Sequence, residues 1–258
     1  MPFTFVHPAA ALPFRGTRLI PSALIAGTMA PDFEYFLRLS PGGGYGHTFA
    51  GAFFLSLPLA LLVLWIFHAI VKVPLVCLFP EGIRLRMSAY TGRFSFCGTE
   101  RFLLIVISVL IGIATHIIWD SFTHRHKWPL DGWPLLRQPV PVPVIGVRPL
   151  YNVFLHASNV LGTLVLCAWF ASWYRRTEPL HDDNRAAIPL ARKWFVVTSI
   201  TSLALIAGIA RSTVLFAGRG GYLVRAGDGV VTAIAISWWL LVAYAIAAAA
   251  RSAMAGRA

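Results

Sequence analysis

Charge is scarce in this chain: 12% of its 258 residues are Asp, Glu, Lys or Arg, about half the share in soluble domains. Acids are the scarcest, ten against 22 basic residues. Cysteine is nearly absent. Cys77, Cys97 and Cys167 form no CxxC pair and are odd in number, so no disulfide framework is implied. The opening MPFTFVHPAAALPFRG has no basic residue ahead of its apolar part and carries Pro2, Pro8 and Pro13, so it makes a poor signal peptide. No GxSxG motif is present for a serine hydrolase. The glycines of SPGGGYGH (Gly42, Gly43, Gly44 and Gly46) lack the Lys of a phosphate-binding loop and read as a hinge. No internal repeat is visible.

What is abundant is apolar surface, 57% of residues with a mean hydropathy of +0.70. Lipid must therefore cover much of the molecule. A helix crossing about 30 Å of hydrocarbon needs about 20 apolar residues, and five segments qualify: His47–Val71 with Pro58 expected to kink it, Arg101–His124, Leu150–Tyr174, Trp194–Phe216 and Val230–Ala250. Pro31, Asp32 and Glu34 interrupt the apolar run Pro21–Leu39, which reads as a re-entrant or interfacial helix. The expected fold is all-α, a polytopic membrane helix bundle of about five transmembrane helices plus that N-terminal helix. Residues 1–176 form a membrane domain, and 177–258 a loop (Thr177–Arg192, with His181, Asp182, Asp183 and Arg185) and two C-terminal transmembrane helices. Six prolines exclude helix from Arg125–Pro149, which should run extended across one end of the bundle with Trp128 and Trp133 at the interface.

The net charge of +12 is scattered among the connections, which suits anionic headgroups and not nucleic acid. The expected partners are membrane lipids and a small-molecule or lipid substrate, with no nucleic acid. Counted by side, ten basic residues fall on the end that carries most histidines and twelve on the other. The positive-inside rule then turns the histidine end away from the cytoplasm of a multi-pass cell-membrane protein.

His116, Asp120 and His124 in THIIWDSFTH recur every four residues, so a helix presents them on one face. Ionisable groups at the end of a lipid-spanning segment default to function. His47 opens the first span and His156 lies near the opening of the third, so antiparallel helices bring these to the same end. His7 and Asp32 precede the first span on that side. His68 faces the other end, and His126 and His181 sit in loops. Imidazole and carboxylate without cysteine suit a divalent metal, zinc foremost, with manganese or iron as alternatives. Such an ion lowers the pKa of bound water for hydrolysis, with Glu34 as the candidate catalytic base.

The stretches MPFTFVHPAA, SALIAGTMAPDFEYFLRL, GHTFAGAFFLSLPLALLVLWIFH, IGIATHIIWDSFTH and LYNVFLHASNVLG resemble the bacterial membrane family called domain of unknown function 4184, over Met1 to about Arg176. More distantly, the order His, Pro-Asp, His, HxxxD resembles inner-membrane metal-dependent hydrolases related to zinc-dependent phospholipase C. That resemblance implies His7, Asp32, His47, His116 and Asp120 as metal-ligand positions. Here Phe33 and Glu34 stand where a second Asp usually follows, and Thr48-Phe49 replaces Thr-Ser after the histidine. The leading expectation is an integral-membrane metal-dependent hydrolase of phosphoester or lipid substrates. The alternative is a non-enzymatic membrane protein, either an ion or solute carrier or a structural partner. Carriers often show two matching halves, which this sequence lacks.

Overall fold

In hydrocarbon a spanning backbone satisfies its polar groups internally only as a helix or a closed barrel, and this chain takes the helical route. A computed structural model describes residues 3–41, 43–125, 127–130, 132–143, 146–180, 188–215 and 222–255. After a 3-10 helix at Thr4–Phe14, the α-helices are α1 (Pro21–Met29), α2 (Phe33–Arg38), α3 (Phe49–Leu78), α4 (Glu81–Met87), α5 (Thr99–Thr123), α6 (Leu150–Arg176), α7 (Leu190–Ala210) and α8 (Tyr222–Ala255). Five of them are long and apolar enough to cross a membrane: α3, α5, α6, α7 with its continuation to Thr213, and α8 within Val224–Arg251. The fold is all-α, with one two-stranded sheet among the described residues. Much of the expected loop and hinge falls on His181, Asp182, Asp183, Arg185 and Gly42, which lie outside the described residues, as does His126.

Two span boundaries differ from the sequence reading for physical reasons. The first span continues past Val71 because Lys72 does not end it: its Nζ donates to the Gly92 carbonyl at 2.6 Å, giving the charge a partner. The last begins at Tyr222, so Arg225 and Asp228 lie within α8, and Asp228 is buried. Near Pro58, α3 is π-helical over Ala52–Ser56, a wider turn directly ahead of a residue with no N–H to donate.

The chain forms two units. The first comprises Met1–Glu34, Gly44–Leu64 and Phe96–Trp173. Here α1 lies against α5 at a crossing that admits no side chain: a Cβ on Gly27 would strike the Val109 carbonyl, and one on Gly112 the Leu24 carbonyl. Ala23, Leu24, Ile105 and Val109 fill the contact and are buried. The Thr4–Phe14 helix accommodates Pro8 and Pro13 because proline's fixed φ suits 3-10 geometry. Its Val6 packs over Gly162 of α6.

The described residues of segment 125–149 are not α-helical. It makes a 3-10 turn at Pro134–Arg137 and an antiparallel hairpin, β1 (Pro139–Val142) on β2 (Gly146–Pro149), in register Pro139↔Pro149 and Val142↔Gly146. Prolines at alternate positions leave the amide donors to Val140, Val142, Gly146 and Arg148.

The second unit comprises Tyr35–Gly43, Trp65–Ser95 and Tyr174–Ala258. In it α7 and α8 approach closely at Gly208 and Gly229. Ile66 and Val71 of α3 pack with Val242 and Ala245 of α8. The Arg86 guanidinium donates to the Tyr174 carbonyl at 2.8 Å and lies 4.1 Å over its ring.

Candidate metal centre

Four structural pieces of the first unit bring five ionisable side chains to one place. The 3-10 helix supplies His7, the 3-10 turn Ala30–Asp32 supplies Asp32, the turn Tyr45–His47 supplies His47, and α5 supplies His116 and Asp120 one turn apart. His124 follows α5 in extended conformation. His7, Asp32, His47, His116 and Asp120 are all buried, with His116 fully so.

One atom from each of Asp32, His47, His116 and Asp120 lies within 4.8 Å of the others. His47 Nε2 is 3.2 Å from His116 Nε2, 3.4 Å from Asp32 Oδ1 and 3.3 Å from Asp120 Oδ2. His116 Nε2 is 3.6 Å from Asp32 Oδ1 and 3.7 Å from Asp120 Oδ2. Tetrahedral bonds of roughly 2.0–2.2 Å place ligand atoms about 3.3–3.6 Å apart. The donor set and its spacing therefore fit one divalent cation.

The surroundings orient the ligands. His116 Nδ1 is 2.8 Å from the Thr28 carbonyl, an acceptor only, so Nδ1 carries the proton and Nε2 turns its lone pair toward the other ligands. Asp32 Oδ2 accepts from the Thr4 hydroxyl at 2.6 Å, leaving Oδ1 to the group. The turn bearing His47 is tied down twice: Gly46 N–H donates to Glu34 Oε2 at 2.9 Å, and the Gly46 carbonyl accepts from Ser56 at 3.1 Å. Thr48 caps the helix that follows, accepting from Gly51 N–H at 2.9 Å.

His7 borders the group, its ring stacked on His116 with centroids 3.9 Å apart and its Nε2 3.5 Å from Asp120 Oδ1. Both His7 ring nitrogens, Asp32 Oδ1, Asp120 Oδ1 and His124 Nε2 are buried without a hydrogen-bond partner among the described residues. Leaving a buried polar atom unsatisfied costs about 1–3 kcal/mol. The unpaired carboxylate oxygens of Asp32 and Asp120 in the His/Asp group are donors a cation would satisfy.

The electrostatics suit a cation. Burial and the neighbouring His116 hold the His7 pKa down at about 3, so His7 is neutral at physiological pH. Burial pushes Asp32 up, but the imidazoles of His116 and His47 outweigh it and keep its carboxyl below the usual range. Burial pushes His47 down, and the neighbouring carboxylates of Asp120 and Asp32 outweigh that and raise it. Burial lowers His124.

The remaining candidates sit differently. His124 is half in: its Nδ1 lies 3.1 Å from the Asp120 carbonyl and 3.6 Å from Asp120 Oδ1, because α5 ends at Thr123 and the four-residue periodicity stops there. His156 is exposed on α6 and is not brought to the group. Glu34 is buried and engaged with Gly46 N–H. Thr4 and the Thr28 carbonyl, which orient Asp32 and His116, had no signal in the sequence: a threonine three residues before a histidine is unremarked, and a backbone acceptor has no residue type.

Fold and site together define a polytopic helical protein with five potential membrane spans and a buried His/Asp group able to hold a metal ion. The chain belongs to the family described as domain of unknown function (DUF4184), which it matches over residues 1–248. The match takes in α7 and nearly all of α8, further than the motifs up to Arg176 implied. No curated protein and no solved structure matches the chain, so the more distant hydrolase resemblance receives no support.

Proposed function

We propose that this protein is an integral-membrane metal-dependent hydrolase acting on phosphoesters, lipid phosphoesters among them. The observation that carries the metal is the bond from His116 Nδ1 to the Thr28 carbonyl, which aims Nε2 at His47, Asp32 and Asp120. Asp32, His47, His116 and Asp120 hold the ion, zinc foremost with manganese or iron as alternatives, and His7 and His124 stand beside it. A bound divalent cation supplies Lewis-acid activation of water and of a phosphoryl oxygen. The protein's own residues orient the ligands, exclude bulk water by burial, and keep His7 neutral for binding or proton transfer. Glu34, two residues beyond Asp32, is the candidate base.

The hydrolase reading rests on the pairing of such a site with a helical bundle suited to lipid, where soluble substrates are few. The test measures bound metal and phosphoesterase turnover together on detergent-purified protein. Wild type should carry about one divalent ion per chain and hydrolyse a phosphoester, and His116→Ala should lose both. Full occupancy with no turnover on soluble or lipid phosphoesters would favour the carrier or structural reading. Absence of metal after reconstitution would remove the basis for an enzyme.

A further inference from the structure

Between α3 and α5 lies a groove of about 330 Å³ whose lining is almost wholly apolar. This volume is at the small end of ligand pockets, which run from about 300 to 1,000 Å³. It suits part of one hydrocarbon chain and not a whole lipid. Phe49, Phe53, Ala114 and Ile118 line it from segments apolar enough to span a membrane, and all four are exposed. Trp128 and Pro129, from the connection after α5, line it as well.

The groove is lined by residues that neighbour the His/Asp group in sequence. Phe49 follows His47 by two residues, and Ile117 follows His116 directly. The short segment after α5 changes chemistry residue by residue. His124 reaches Asp120, and Arg125 lines a second cavity of about 220 Å³ together with Arg137 and Tyr151. Lys127 places a positive charge felt at His47, and Trp128 enters the groove. An amphiphile with an apolar tail and an anionic head matches this sequence of surfaces. Aromatic rings favour the headgroup level, which suits an exposed Trp128 in the lining of a groove that bilayer lipid can enter.

We infer that the groove between α3 and α5 holds one acyl chain of an anionic bilayer lipid, and thereby presents its headgroup to the His/Asp group. The second half of this statement rests on the proposed hydrolase; the first does not. The occupant comes from the membrane because the groove walls are potential spanning segments.

The test uses full-length protein in nanodiscs containing phosphatidic acid with a photoactivatable diazirine in one acyl chain. Adducts are mapped by mass spectrometry. Wild type should concentrate adducts on Phe49, Phe53, Ile118 and Trp128. Ala114→Phe fills the groove from an exposed position, and Ala168→Phe makes the same change on the exposed face of α6. The added ring takes space the chain would fill, and the displaced methylenes pass into bilayer hydrocarbon and not into water, so the loss is steric. Groove adducts should fall several-fold in Ala114→Phe and stay unchanged in Ala168→Phe. Elution as a single symmetric peak in detergent reports whether each variant is folded; should Ala114→Phe fail, Ala114→Leu should give a smaller loss of the same kind. Adducts spread evenly over all lipid-facing helices, or indifferent to position 114, would overturn the inference and leave the groove as ordinary annular surface. Turnover of a water-soluble phosphoester separates the two readings. Groove adducts without any hydrolysis would sink the hydrolase and keep the groove, and hydrolysis with evenly spread adducts would do the reverse.

Discussion

At the scale of single residues, the site depends on partners that are not themselves ligands. Thr4 donates to Asp32 Oδ2 and thereby leaves Oδ1 to the His/Asp group. Thr4→Val keeps the shape and removes the donor, and should weaken metal binding about 10–100-fold, the usual cost of losing such support; competition with a chelator of known affinity measures it. Glu34 poses a different question, because its carboxylate accepts from Gly46 N–H next to His47. Gln keeps an acceptor oxygen and Ala does not. A positioning role therefore predicts that Glu34→Gln retains metal and turnover while Glu34→Ala loses affinity. A catalytic base predicts that Glu34→Gln retains metal and loses turnover, so kinetics and metal content on the two variants decide between them. Acid should also displace the ion. His47 is held protonated more firmly than a free imidazole by Asp120 and Asp32, and ligation requires the neutral ring. Occupancy should therefore rise with pH and fall on acidification through the neutral range. Metal retention that stays flat from pH 8 to pH 5 in an equilibrium titration would count against His47 as a ligand.

At the scale of elements, the site is a consequence of how closely α1 meets α5. Gly27 and Gly112 let the backbones touch, and only then does the Thr28 carbonyl come within 2.8 Å of His116 Nδ1. A Leu at position 112 must push α1 away, since its Cβ would meet the backbone of Leu24 and Thr28. Gly112→Leu should thus cost the ion although no ligand is touched, with loss of at least tenfold in affinity; an unchanged metal content would show that the crossing does not support the site. This crossing explains how much the sequence could reveal. The four-residue spacing of His116 and Asp120 is a property of one helix and is readable from it. The burial of Asp32 is not, because it depends on the α1 crossing, and Pro31 and Asp32 look like an interruption until α1 is seen to end there. His124 extends the spacing on paper, but α5 ends at Thr123 and turns it aside. His156 lies at the right end of its span, yet rotation about the α6 axis is set by packing such as Val6 on Gly162, which no local pattern encodes. The spans themselves were readable from apolar length, with errors where a side chain found a partner, as Lys72 does on Gly92.

At the scale of the whole molecule, orientation in the bilayer decides which aqueous compartment reaches the His/Asp group. With the spans drawn from the sequence, ten basic residues are expected on the end bearing the histidines and twelve on the other. On the positive-inside rule we propose that the site faces away from the cytoplasm. The first unit contains its own reporters for this. Cys97 is exposed and precedes α5, while the site follows the other end of that helix. Twenty-five residues at 1.5 Å each separate the ends of α5 by about 37 Å, more than the roughly 30 Å of hydrocarbon. The two ends therefore lie in different compartments if α5 crosses as its length allows. Arg148 is exposed on β2, in the connection that begins at the site end of α5. In a background with Cys77 and Cys167 replaced by Ala, a membrane-impermeant maleimide applied to intact cells should label Arg148→Cys and spare Cys97. Opening the membrane with detergent should then expose Cys97 to the same reagent, which controls for its reactivity. Labelling of Cys97 and not of Arg148→Cys in intact cells would invert the orientation and give the His/Asp group a cytoplasmic substrate supply.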